Sequence, residues 1–175
     1  MRIWASRRRV RRRPCCSSSP MANPFAKSRL FHKLANYSGP PAFFRVLPLP
    51  RGFALLTVTG RKTGRRRRRP IRAIRDGTTL YAVAILGAQS DWLRNLRADP
   101  KAQARLGIRT RGITLREITD EAEREEAEQL YVETIVPYDY FDVPVVDWTW
   151  PSPSRIRKSH REWLERGTLV ALELE

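Results

Sequence analysis

The chain has 175 residues, 41% of them hydrophobic, with a formal net charge of +16. That length suits one core-forming domain rather than two. No apolar run approaches the roughly 18–20 residues of a membrane-spanning helix. The only two cysteines, Cys15 and Cys16, are adjacent, and the only histidines are His32 and His160, so no metal site is expected.

The charge is uneven. Residues 1–20 carry seven arginines and no acid, and a further five arginines run from Arg65 to Arg69. The first 22 residues have no periodicity and no apolar stretch of the kind a secretory signal requires. They are read as a disordered basic leader, or as codons ahead of a start at Met21, with residues 23–175 forming a single domain. Phe25, Leu30, Phe31 and Leu34 sit at helical spacing, with Lys27, Arg29 and Lys33 elsewhere on the turn. This predicts a short amphipathic helix within residues 24–37, either capping the domain or touching an anionic membrane surface. The proline-interrupted stretch SGPPAFFRVLPLPRG then reads as a connector.

From Phe53 the pattern changes to strands. FALLTVTG is a β-rich run, and RRPIRAIR is of strand length. Asp76-Gly77 marks a tight hairpin into TTLYAVAIL. DWLRNLRADP predicts a short helix capped by Asp91 and stopped at Pro100, with Trp92, Asn95 and Leu96 on neighbouring turns. KAQARLGIR and ITLREIT read as another strand pair, joined through Thr110-Arg111-Gly112. DEAEREEAEQLYVETI reads as a helix with an Asp120/Glu123 capping box, a solvated acidic face and a stripe of Ala127, Leu130, Tyr131 and Ile135. SRIRKSHREWLERG predicts a last helix ending at Gly167, and TLVALELE a last strand. Five or six strands in hairpins without a βαβ rhythm, and with no G-x-G-x-x-G or Walker sequence, predict a mainly β (α+β) fold. The architecture expected is a small antiparallel barrel decorated by short helices.

One stretch carries chemistry. In GRKTGRRRRRP, Gly60 to Pro70, two glycines bracket a planar guanidinium, an ammonium and a hydroxyl at a strand end. Such a set suits phosphate or carboxylate. The residue types alone equally describe an exposed hairpin tip with solvated cations.

The ordered series LLTVTGRKTGRRRRRPI, a D-G hairpin, then W-x-x-N and L-R-A-D-P resembles the deazaflavin-dependent nitroreductase family over about residues 50–140. The resemblance implies a split β-barrel and coenzyme F420, a 5-deazaflavin with a phospholactyl-oligoglutamate tail, and no metal. It places Arg61, Lys62, Thr63 and Gly64 at the tail and phosphate, with Arg67 and Pro70 at the family's next arginine and proline. It also implies Ala84 and Ile85 along the ring, and Trp92 and Asn95 bordering the coenzyme. Arg65, Arg66, Arg68 and Arg69 exceed the pattern, and are read as solvated or as extra affinity for a longer tail. Tyr138 matches the first tyrosine of the family's late Y-x-x-Y element, whereas Phe141 stands in place of the second. The stretch Leu86–Asp91 is shorter than the corresponding family loop, and residues 142–167 form an insert holding Trp148, Trp150 and Trp163.

The activity implied is hydride transfer from reduced F420 to a quinone, nitroaromatic or activated alkene. Tyr138 is the candidate for orienting or protonating the acceptor, Tyr140 and Phe141 are further acceptor contacts, and Asp139 is a possible helper. A cytoplasmic monomer or homodimer is expected, with a peripheral membrane contact through residues 24–37 as an option. Two other readings stand beside it. One is a non-catalytic barrel that carries a deazaflavin or another small ligand. The other is a nucleic-acid-binding barrel that uses the arginine run; cations spread along a groove among aromatics, its usual mark, are not seen.

Overall fold

The computed structural model describes residues 48–140, 143–144 and 150–175. The expected leader, the amphipathic helix of residues 24–37, most of the proline connector, Phe141 and Trp148 lie outside the described residues. Among the described residues six strands are present: β1 (Phe53–Thr59), β2 (Arg66–Asp76), β3 (Thr79–Ala84), β4 (Lys101–Leu106), β5 (Arg109–Arg116) and β6 (Thr168–Leu174). Among the helices of the described residues are α1 (Asp91–Ala98), α2 (Glu121–Glu133) and α3 (Pro153–Arg166). All neighbouring strands are antiparallel, and they close into a barrel in the order β1-β2-β3-β6-β5-β4.

The two-residue alternation of strands sorts the side chains into two cores. Ala54, Leu56 and Val58 of β1 face inward, and so do their cross-strand partners on β2, whose inner row continues through Ile71 and Ala73. Leu93 and Leu96 of α1 are fully buried in this interior and plug one end of the barrel. A second cluster forms outside the barrel, where Ile74, Tyr81, Val83, Leu169 and Ala171 meet Ala127 and Tyr131 of α2 and Ile156 and Trp163 of α3. Of the stripe expected on α2, Ala127 and Tyr131 are buried, and Leu130 and Ile135 are partly so.

Several local expectations need correction. The β4–β5 turn falls at Gly107–Ile108, where Gly107 takes φ +59°, rather than at Thr110-Arg111-Gly112. Gly112 instead lies within β5, where its open side faces the Glu175 side chain. Ser90, not Asp91, occupies the N-cap position of α1. Asp120 does cap α2, accepting a bond from the Ala122 N–H at 2.8 Å. Glu123, however, does not complete a capping box. It binds Arg116 and Tyr81, so the acidic face of α2 is not wholly solvated. Burial first, and then the bond to Glu123, push the Tyr81 hydroxyl above its ordinary range.

The expected 142–167 insert contains α3, capped by Ser152 and buried through Trp163, while Trp150 is 83% exposed. Gly167 closes this helix onto β3. An added Cβ would stand 2.5 Å from the Trp163 carbonyl oxygen and 2.9 Å from that of Ala84. Gly167→Ala is therefore expected to destabilise the fold by about 1–3 kcal/mol, read as a lower urea midpoint.

Candidate functional site

The Gly60–Arg65 loop joins β1 to β2 at the barrel end plugged by α1. Its backbone closes on itself: the Gly60 N–H donates to the Arg65 carbonyl at 2.9 Å, and the Gly64 N–H to the Gly60 carbonyl at 2.8 Å. Gly64 takes φ +64°, a conformation that L side chains rarely adopt. Thr63 Oγ1 faces the Arg65 N–H at 3.4 Å.

Arg61 fastens this loop to α1. Asn95 Oδ1 accepts both from the Arg61 backbone N–H at 3.2 Å and from Nη1 at 3.0 Å. Arg61 Nη2 pairs with Asp91 Oδ1 at 3.1 Å. Residues 34 positions apart are thus joined directly, and the buried Asn95 is the hinge of the joint. Trp92 is half-buried against the barrel interior beside it. Lys62, Thr63 and Gly64 remain exposed, a cation, a hydroxyl and an open backbone at the tip.

The arginine run is divided by strand alternation. Arg67 and Arg69 lie opposite Val58 and Leu56 and share the inward row, whereas Arg66 and Arg68 lie on the outward one with Pro70. Arg67 is exposed at the mouth. Arg69 is not solvated as expected. It is half-buried, and burial pulls its guanidinium below its usual range against the opposing pull of Asp91. Ala84 is fully buried inside the barrel, and Ile85, just past the end of β3, is exposed.

The second group of candidate residues sits elsewhere. The Tyr138 ring packs on Phe53 with centroids 4.2 Å apart, and belongs with Leu49 and Leu55 on the outer face of β1. Phe53 begins β1 and Gly60 follows its end, so the strand's seven residues separate the two groups by about 20 Å. Tyr140 is exposed. Asp139 is not available as a helper to the acceptor, because its side chain is fully buried and bound by Arg72. Sequence reasoning missed this Arg72–Asp139 pair, although an arginine inside the apolar run Ile71–Ile74 was a signal. A concavity of about 270 Å³ lined by Arg75, Arg109, Arg111, Leu106 and Leu174 opens at the barrel end away from the loop.

Residues 43–145 match the family model described as F420H(2)-dependent quinone reductase. The chain belongs to that family. Among solved structures, an F420-H2 dependent reductase (FDR-A) is 24% identical with a TM-score of 0.51, the match covering 74% of this chain and 99% of that one. Another, described as a domain-swapped dimer, is 19% identical with a TM-score of 0.51, covering 83% of this chain and 94% of that one. At these identities the likeness carries the fold, and it agrees with the split barrel expected from the sequence. Among the described residues no helix is long and apolar enough to cross a membrane. Nor do those residues hold a group of three or more His, Cys, Asp or Glu side chains able to bind a metal.

Proposed function

We propose that this chain is an F420-dependent reductase whose acceptor is a quinone or a similarly electron-poor compound. The observation that supports it most is the Arg61–Asn95 joint, which puts the cationic loop and the W-x-x-N helix in one place. The donor set fits a multiply anionic coenzyme. Arg61, Lys62, Thr63, the Gly64 backbone and Arg67 offer charge and hydrogen-bond donors to phosphate and carboxylate oxygens. Ala84 and Ile85 would lie along the ring, and Pro70, Trp92 and Asn95 would border the coenzyme. When bound, the coenzyme supplies a hydride from its C5 carbon.

The protein's part is then binding, orientation and proton supply. Arg61 holds the loop to α1 so that Lys62 presents its ammonium to the tail. Tyr138 Oη donates a hydrogen bond, and then a proton, to the acceptor oxygen that becomes negative as reduction proceeds. Tyr140 and Phe141 are proposed as further acceptor contacts. The separation along β1 suits an elongated coenzyme, anchored at one end of the strand and reacting towards the other.

Titration of the full chain with reduced F420, followed by turnover of a soluble naphthoquinone, tests this reading. Saturable binding with quinone reduction is expected; binding without reduction of any quinone would leave only a carrier. Tyr138→Phe is expected to lower kcat on the order of tenfold or more while coenzyme Kd stays within about twofold. Loss of coenzyme binding in that variant would remove Tyr138 from the acceptor site. A homodimer is proposed as well, to be read by light scattering, and a cytoplasmic location belongs to the same proposal.

A further inference from the structure

The most deeply buried polar cluster among the described residues is not at the cationic loop. It lies beneath the C-terminal end of α2, where helix carbonyls are left without intrahelical partners. Arg72 reaches out from β2 and donates through Nη1 to the Tyr131 carbonyl at 3.2 Å and through Nη2 to that of Thr134. Its guanidinium lies 4.2 Å from the Tyr131 ring centroid. His160 of α3 brings Nδ1 to 3.3 Å from the Val132 carbonyl. A carbonyl only accepts, so that nitrogen carries a proton.

Asp139 completes the cluster. Oδ1 accepts from Arg72 Nε at 3.0 Å, and Oδ2 accepts from the Val136 N–H at 2.8 Å. The Asp139 N–H donates in turn to the Val136 carbonyl at 2.9 Å, closing the 136–139 turn on both sides. His160 Nε2 stands 3.7 Å from Oδ2. Arg72 is 6% exposed, and Asp139 and His160 are fully buried. Tyr138 is held within this closed turn, and its ring is pressed onto Phe53. A buried, bidentately held carboxylate fixes its own backbone, and so restricts where the neighbouring side chain can point.

We infer that Asp139, clamped by Arg72, positions Tyr138 for the acceptor. The inference rests on the reading of Tyr138 as the acceptor contact. Asp139 touches no reacting atom and acts through its neighbour. Strand β2, the end of α2 and the acceptor turn are therefore joined through the Arg72–Asp139 pair.

The test is a double-mutant cycle in the full chain with Asp139→Asn and Tyr138→Phe. Asp139→Asn is expected to lower naphthoquinone kcat/KM on the order of tenfold, with F420 Kd within about twofold. In the Tyr138→Phe background the same change should have less than about a twofold effect, since the residue it positions has lost its hydroxyl. A readout without coenzyme accompanies the kinetics: the NMR ring-to-ring contact between Phe53 and Tyr138 should weaken in Asp139→Asn. An equal loss in both backgrounds, or an unchanged ring contact, overturns the inference. If Tyr138→Phe alone leaves turnover intact, the acceptor assignment fails, and the ring contact still decides whether Asp139 holds Tyr138. Should Asp139→Asn not fold, Arg72→Lys, which keeps the charge but loses the fork, takes its place with the same readouts.

Discussion

Asp139→Ala is expected to lower the free energy of unfolding by about 3–5 kcal/mol, the usual consequence of stranding one partner of a buried ion pair. The alanine leaves the Arg72 guanidinium 6% exposed with no carboxylate beside it, and it frees the Val136 N–H that Asp139 Oδ2 had accepted. Replacing both members by apolar residues should cost less than removing the acid alone, because no buried charge is then left unpaired. Urea unfolding of the two single variants and the double variant measures this directly. Stability of the double variant equal to or below that of Asp139→Ala would remove the ion pair from the explanation.

The same carboxylate sets an acid limb. Burial pushes the Asp139 carboxyl up, but His160, the Arg72 guanidinium and the Val136 N–H together outweigh it and hold it below the usual carboxylate range. A group whose folded pKa is depressed stabilises the fold above its unfolded pKa, about 3.9, and loses that contribution as pH falls through the lower folded value. Wild-type stability should therefore drop below about pH 4 more steeply than that of Asp139→Asn. Parallel acid limbs in the two proteins would show that the carboxylate is not responsible.

Arg61→Ala is expected to weaken F420 binding by about 1–3 kcal/mol, or roughly 5- to 150-fold in Kd, as for a lost charge-assisted hydrogen bond. The structure gives this residue two roles, since its backbone and Nη1 share Asn95 Oδ1 while Nη2 pairs with Asp91. Alanine keeps the backbone bond and loses both side-chain bonds, so the loop loosens and a donor disappears together. Lys62→Ala removes only an exposed ammonium and should fall at the low end of the same range. Fluorescence titration at several salt concentrations separates them: the Lys62 effect shrinks as salt rises, and the Arg61 effect persists. Identical salt behaviour would mean that Arg61 serves only as a surface charge.

Most of the barrel was legible because local chemistry and tertiary placement agree. Asp76-Gly77 turns where such a pair usually turns, and the helix expected from SRIRKSHREWLERG runs from Pro153 to Arg166, one residue earlier at its start. The Thr110-Arg111-Gly112 turn was misread because glycine serves two purposes. At Gly107 it supplies a positive φ, and at Gly112 it makes room for the Glu175 side chain, a contact from the far end of the chain. The arginine run showed its charge but not its division between two faces, which strand register alone decides. Asp139 looked like a site residue because it sits between two tyrosines. Its partners, Arg72 and His160, come from 67 positions earlier and from a separate helix, and no spacing rule connects them.

The strand order has a consequence for synthesis. β6 follows β3 and β5 in the chain and is inserted between them. Until residues 168–174 leave the ribosome, those two neighbours expose unpaired backbone amides and carbonyls, which invite pairing with another nascent chain. Full closure therefore waits on β6, and a chain cut before Thr168 would be an open, adhesive sheet rather than a shortened barrel.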